Sequence, residues 1–144
     1  MFTLHPQLAA DSFILGDFPL CRLLLMNDAN FPWFILVPRR AAVREIYELP
    51  DHDQQQLLRE SSHLAARLTG IFRADKLNIA ALGNLVPQLH IHHVVRYRND
   101  PCWPAPVWGK LAARPYAADH VKKIQESLAA LLEDFATFAP PRTP

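Results

Sequence analysis

Five consecutive residues, Gln88-Leu89-His90-Ile91-His92, gather the side chains best suited to chemistry. Polar and apolar types alternate. In an extended strand, residues two apart project to the same side, roughly 6 to 7 Å apart along the chain. Gln88, His90 and His92 then share one face, and Leu89, Ile91, His93 and Val95 share the other. An imidazole is nucleophilic near pH 7 and also serves as acid, base or metal ligand. A row of such polar groups is costly to bury, so this face is expected to meet polar partners, solvent or a ligand. Arg96 continues the row and Arg98 follows it. Neighbouring cations favour a phosphate over a metal ion. Three readings of the row stay open at this point: a site acting on a phosphate, a His-x-His metal site, and a polar face lying on solvent. His93 points the other way and reads as a hydrogen-bonded core or interface histidine.

The elements that must position this row are legible around it. Gln88 to Tyr97 is expected to be one long strand. Phe13 to Asp17, Leu20 to Met26 and Lys76 to Leu82 also read as strands, and Trp33 to Val37 as a buried one ended by Pro38-Arg39-Arg40. His5 to Asp11 reads as a short helix. A longer helix begins after Pro50, where Asp51 and Gln54 have the spacing of a capping box. Its stripe is Leu57, Ser61, Leu64, Leu68 and Ile71. Gly83-Asn84 is a turn, and Arg98 to Arg114 a loop rich in Pro and Trp. The last helix carries Val121, Ile124, Leu128, Leu131 and Phe135 on one side. Strands cluster instead of alternating with helices, which predicts an α+β architecture with an antiparallel sheet.

Composition bounds the function. At 144 residues, half of them hydrophobic, the chain suits one domain with a sizeable core. A formal net charge of +1 argues against a bulk binder of nucleic acid or membrane surfaces. Eleven of the 15 basic residues are Arg, whose planar fork suits phosphate oxygens. Cys21 and Cys102 are spaced unlike a zinc or redox pair. No basic leader with an apolar run opens the chain, and no apolar stretch is long enough to span a bilayer. A reducing cytoplasm is the expected compartment.

The segment Gln88-Leu89-His90-Ile91-His92-His93-Val94 resembles the motif of the histidine-triad (HIT) superfamily, His-φ-His-φ-His-φ-φ with φ apolar. The flanks are similar too. Val37-Pro38-Arg39-Arg40 resembles the family's apolar strand closing on Pro and two basic residues. Met26-Asn27 resembles its nucleoside-binding strand end, and Gly83-Asn84-Leu85-Val86 its phosphate-contacting turn. The resemblance covers roughly Phe13 to Trp108. It implies a HIT-like fold with a five-stranded antiparallel sheet, one central amphipathic helix and a C-terminal helix. Residues 1–110 would form the nucleotide-binding part, and 111–144 a helix and tail packed on the same domain.

The resemblance also implies a mechanism. His90 would attack the α-phosphate of a nucleotide ester, anhydride or amidate and form a nucleotidyl-imidazole, which water or another acceptor would discharge. His92 would orient or protonate groups around the phosphate. Gln88 and Asn84 would donate hydrogen bonds to phosphoryl oxygens, with Asn27 at the ribose and Arg96 at the substrate. The implied partners are a nucleotide or dinucleoside polyphosphate and a second copy in a homodimer, with no metal, cofactor, nucleic acid or membrane. The chain departs from the family pattern in three places. Gln88 stands for the first triad His, Leu85 for a common Ser, and Trp33 for a His on the strand before the basic pair. A module that binds nucleotides without chemistry is the alternative.

Overall fold

The computed structural model describes residues 1–133, 135 and 138–141. Three strands lead: β1 (Ser12–Asp17), β2 (Cys21–Met26) and β3 (Trp33–Pro38). The short helix α1 (Pro6–Asp11) precedes them, and the long helix α2 (Asp51–Phe72) follows. β4 (Lys76–Ala80), β5 (Ile91–Arg96) and α3 (Ala118–Leu132) complete the order. The strands form one antiparallel sheet in the order β1-β2-β3-β5-β4. The expected α+β class and five-stranded sheet are therefore present.

Each face of the sheet has its own apolar layer. β3 is an unbroken apolar run, and all six of its residues are buried, as befits a strand covered on both sides. On one face, Leu57, Leu64 and Leu68 of α2 pack with Leu23, Leu25, Phe34, Leu36, Ile91 and Val95. Burial of each such side chain contributes about 1.5 to 3 kcal/mol. Val121, Ile124, Leu128 and Leu132 of α3 join this core. The side chain of Leu131 lies outside the described residues. On the other face, Leu24, Ile35, Val37 and Val94 meet Leu8 of α1, Phe31, Trp33 and Val107.

Two boundaries differ from expectation in ways that matter for the site. The strand expected from Gln88 begins only at Ile91. Leu89 donates its N–H to the Val43 carbonyl instead, outside the ladder, so His90 stands just before the paired segment. α2 lacks the expected capping box. Pro50 is its N-cap, the Gln54 side chain turns back to the Leu49 carbonyl, and Asp51 and Asp53 in the first turn face the positive end of the helix dipole.

Candidate active site

β5 carries adjacent histidines to opposite faces of the sheet. His93 faces α2 and is fully buried. Its Nδ1 donates to the Ile91 carbonyl at 3.1 Å. Its Nε2 accepts from the Ser61 hydroxyl at 2.7 Å. Burial drives its pKa down to about 4, against a small rise from the Ile91 carbonyl. Both ring nitrogens are occupied, so His93 is a core residue, as its strand position suggested.

His90 and His92 face the other side, their ring centroids 4.9 Å apart. Both line a cleft of about 320 Å³ with Asn84, Leu85, Met26, Asp11 and Trp108. That volume lies at the lower end for a small-molecule site. The hydrogen bonds decide where each proton resides. Nδ1 of His90 is 2.7 Å from the Gln88 carbonyl. A carbonyl only accepts, so Nδ1 bears the proton and, in the neutral ring, Nε2 keeps its lone pair. Nδ1 of His92 lies 3.0 Å from Nε1 of Trp33. An indole only donates, so here Nδ1 bears the lone pair and Nε2 the proton. The pair thus presents one free acceptor and one donor. Burial lowers the His92 pKa to about 3, helped by the neighbouring His90 and His93, so this ring is neutral at pH 7.

Other expected site residues fall in different places. Asn84 lines the cleft, carried by a turn in which Gly83 adopts φ +74°, a left-handed conformation that favours glycine. Gln88 does not offer its amide to the cleft. Its Oε1 accepts the His5 N–H at 2.9 Å, and its Nε2 donates to the Thr3 carbonyl at 2.9 Å. What Gln88 gives the site is its backbone carbonyl. Asn27 turns away as well, its Oδ1 accepting the Tyr116 N–H, while Met26 beside it reaches the cleft.

Arg96 lies on the same side of β5 as His92 but is sealed, only 1% exposed. Its guanidinium donates to Asp100, Asn78 and the Ala105 carbonyl and sits over the rings of Phe31 and Trp103. Burial alone would raise the Asp100 pKa, but Arg96 and the N–H groups of Tyr97 and Cys102 hold it at about 2. The expected polar row ends here in a structural ion pair. Among the described residues lining the cleft there is no Lys or Arg, and the one charged group is Asp11.

Sequence reasoning missed Leu8, Asp11 and Ser12, which wall the cleft from α1 and the start of β1. No local pattern marks them, because the pairing of Ser12 with Met26, the Asn27 N–H on the Asp11 carbonyl and the packing of Leu8 with Ile35 and Val37 bring them to the site. Trp108 and Gly109, from the loop rich in Pro and Trp, also line the cleft. Among the described residues, no group of three or more His, Cys, Asp or Glu is arranged to hold a metal ion. No helix among them is long and apolar enough to cross a membrane.

Residues 7–99 match the family described as the HIT domain. The chain belongs to the HIT domain family. Solved HIT structures superpose on nearly its whole length. It is 54% identical to a histidine triad protein from Marinobacter aquaeolei VT8, with a TM-score of 0.92, covering 94% of this chain and 99% of that one. It is 44% identical to a histidine triad protein from Bradyrhizobium japonicum, with a TM-score of 0.88 and coverage of 90% and 96%. It is 42% identical to one from Sinorhizobium meliloti 1021, with a TM-score of 0.90 and coverage of 92% and 98%. A comparison with curated proteins finds no match. For this HIT domain, membership supports nucleotide binding and the hydrolase or transferase chemistry of the superfamily.

Proposed function

We propose that this HIT domain binds a nucleotide in the cleft and cleaves it at the α-phosphorus through a nucleotidyl-His90 intermediate. One observation carries the reading: the Gln88 carbonyl holds the His90 Nδ1 proton and leaves Nε2 free at a cleft wall. The Nε2 lone pair attacks phosphorus. A P–N bond forms, the bond to the leaving group breaks, and the leaving group takes that electron pair and a proton from solvent. Water then attacks phosphorus. The P–Nε2 bond breaks, its electron pair returns to the ring, and the water proton passes to solvent. The Nε2–H of His92 and the Asn84 amide donate to phosphoryl oxygens as charge develops. His92 acts as a donor and not as a shuttle, because a ring that stays neutral at pH 7 has no second proton to release. Gln88 at the first triad position marks a variant branch in which that residue anchors the Thr3–His5 segment.

The missing cation refines the substrate. A polyphosphate brings several negative charges, which a cleft whose one charged residue is Asp11 does not neutralise. A phosphodiester or phosphoramidate with a single charge fits better than a dinucleoside polyphosphate.

Intact-mass analysis after rapid mixing with adenosine 5′-phosphoramidate tests the mechanism. A nucleotidyl adduct is expected on the wild type. His90→Ala should remove it and lower turnover by at least about 10³-fold. Equal turnover by His90→Ala would sink the mechanism, and tight binding without product would leave a nucleotide-binding module.

We further propose a homodimer through the exposed groove where Ile46, Leu58 and Ile79 come together beside the edge strand β4. Unpaired backbone along an edge strand and apolar side chains at 42%, 67% and 50% exposure both favour a covering partner. Sedimentation equilibrium should give twice the chain mass, and Leu58→Asp should halve it. The proposed unit includes residues 111–144, whose helix shares the main core. With two unpaired thiols, Cys21 and Cys102, we place it in the reducing cytoplasm, which fractionation checks.

A further inference from the structure

Trp33 touches the chemistry at second hand, through His92. In the ladder, Trp33 is opposite Val94 and Ile35 is opposite His92. Trp33 and His92 are therefore diagonal neighbours on one face of the sheet, within reach for long side chains. The indole is 7% exposed, and its Nε1–H meets Nδ1 of His92 at 3.0 Å. Trp108 packs edge-on against both, with centroids 5.9 Å from Trp33 and 5.5 Å from His92. An imidazole ring turned over about its Cβ–Cγ bond exchanges nitrogen for carbon at each position. The turned ring would put a C–H against the indole N–H and lose the bond inside an apolar cluster. Protonation at Nδ1 would set two donors against each other.

We propose that Trp33 is a positioning residue that fixes His92 in one ring orientation and as the Nε2–H tautomer, so that this proton always points into the cleft. This rests on the function proposed above, since the aimed N–H matters only if a phosphoryl group occupies the cleft. The groups facing His92 are His90, Trp33 and Trp108, with His93 across the strand; only Trp33 donates to Nδ1, and the indole N–H of Trp108 has no hydrogen-bond partner. The device is a fixed donor and not a titrating one.

The test compares wild type with Trp33→Phe, which keeps an aromatic ring and removes the donor. Long-range ¹⁵N–¹H spectra of histidine-labelled wild type should show His92 as the pure Nε2–H form from pH 8 to pH 5. A through-bond nitrogen coupling between Trp33 Nε1 and His92 Nδ1 should be visible. In Trp33→Phe the coupling disappears and His92 protonates at least about one pH unit higher. With adenosine 5′-phosphoramidate, kcat should fall about tenfold while KM stays within about twofold, the split expected when a donor is misaimed and the cleft is intact. Wild-type His92 carrying its proton on Nδ1, or a variant whose His92 spectra and kcat match the wild type, would overturn the proposal. Should Trp33→Phe not fold, the wild-type tautomer and coupling decide. Wild type that shows the fixed tautomer but no turnover counts against the proposed function and leaves the tautomer assignment standing.

Discussion

His92 and His93 are neighbours in sequence, and the two sides of the sheet treat them differently. His93 is closed off by partners on both nitrogens, one from its own strand and one from α2. His90 and His92 are each held by one nitrogen only, through a carbonyl and an indole, and each keeps the other at the cleft. All three belong to one short segment of chain. What distinguishes the core histidine from the two at the cleft is the number of ring nitrogens the fold leaves uncommitted, and strand alternation decides which residue gets which side. Burial does not separate them: His90 is 7% exposed and His92 5%, against 0% for His93.

Acid breaks the comparison most strongly, because unfolding frees rings from both faces to take up protons. His92 and His93 have folded pKa values of about 3 and about 4. In the unfolded chain both titrate near 6.5. The unfolded state therefore binds more protons below pH 6.5. The stability contribution of the neutral rings is fully present above that pH and is lost as pH falls toward 4 and then 3. Each ring should forfeit about 1.4 kcal/mol by pH 5.5, roughly 2 to 3 kcal/mol together. Urea denaturation at pH 8 and pH 5.5 measures this, and an unchanged midpoint would mean that the rings are not held neutral.

Ser61→Ala sharpens the comparison with a smaller effect. It strands Nε2 of His93 in the core without a donor, at a cost of about 1 to 3 kcal/mol. Because the affected nitrogen lies across the sheet from the cleft, kcat should stay within about twofold of wild type. A lower melting temperature with unaltered turnover is the expected pair of results; a large loss of turnover would show that the two faces are coupled.

Periodicity made the scaffold readable. The Leu stripe of α2, the unbroken apolar run of β3 and the alternation through His90 and His92 each depend on neighbours a few residues apart. The same rule placed His93 correctly. It misled at Arg96, which has the right strand parity but meets Asp100, Asn78 and Phe31, partners that parity does not reveal. The family resemblance implies that Gln88 donates to phosphoryl oxygens. Its side chain is instead committed to Thr3 and His5, more than 80 residues away in sequence. Asn27 went the same way, toward Tyr116. The cleft wall from Leu8 to Ser12 was invisible for the same reason: long-range hydrogen bonds assemble it, and a single sequence carries no local trace of them.

The clasp between Gln88 and the Thr3–His5 segment also imposes an order on biosynthesis. Translation delivers the amino end of the chain first, although a domain generally folds as a unit. β1, β2 and β3 are joined by short connections and can pair as soon as they leave the ribosome. α1 emerges earlier still and packs on these strands through Leu8, with Asn27 donating to the Asp11 carbonyl, but the Thr3–His5 segment before it meets its long-range hydrogen-bond partner only when Gln88 has been made. That segment therefore stays unlatched until residue 88 of 144 has been made, and the cleft gains its second wall only when the histidine strand arrives.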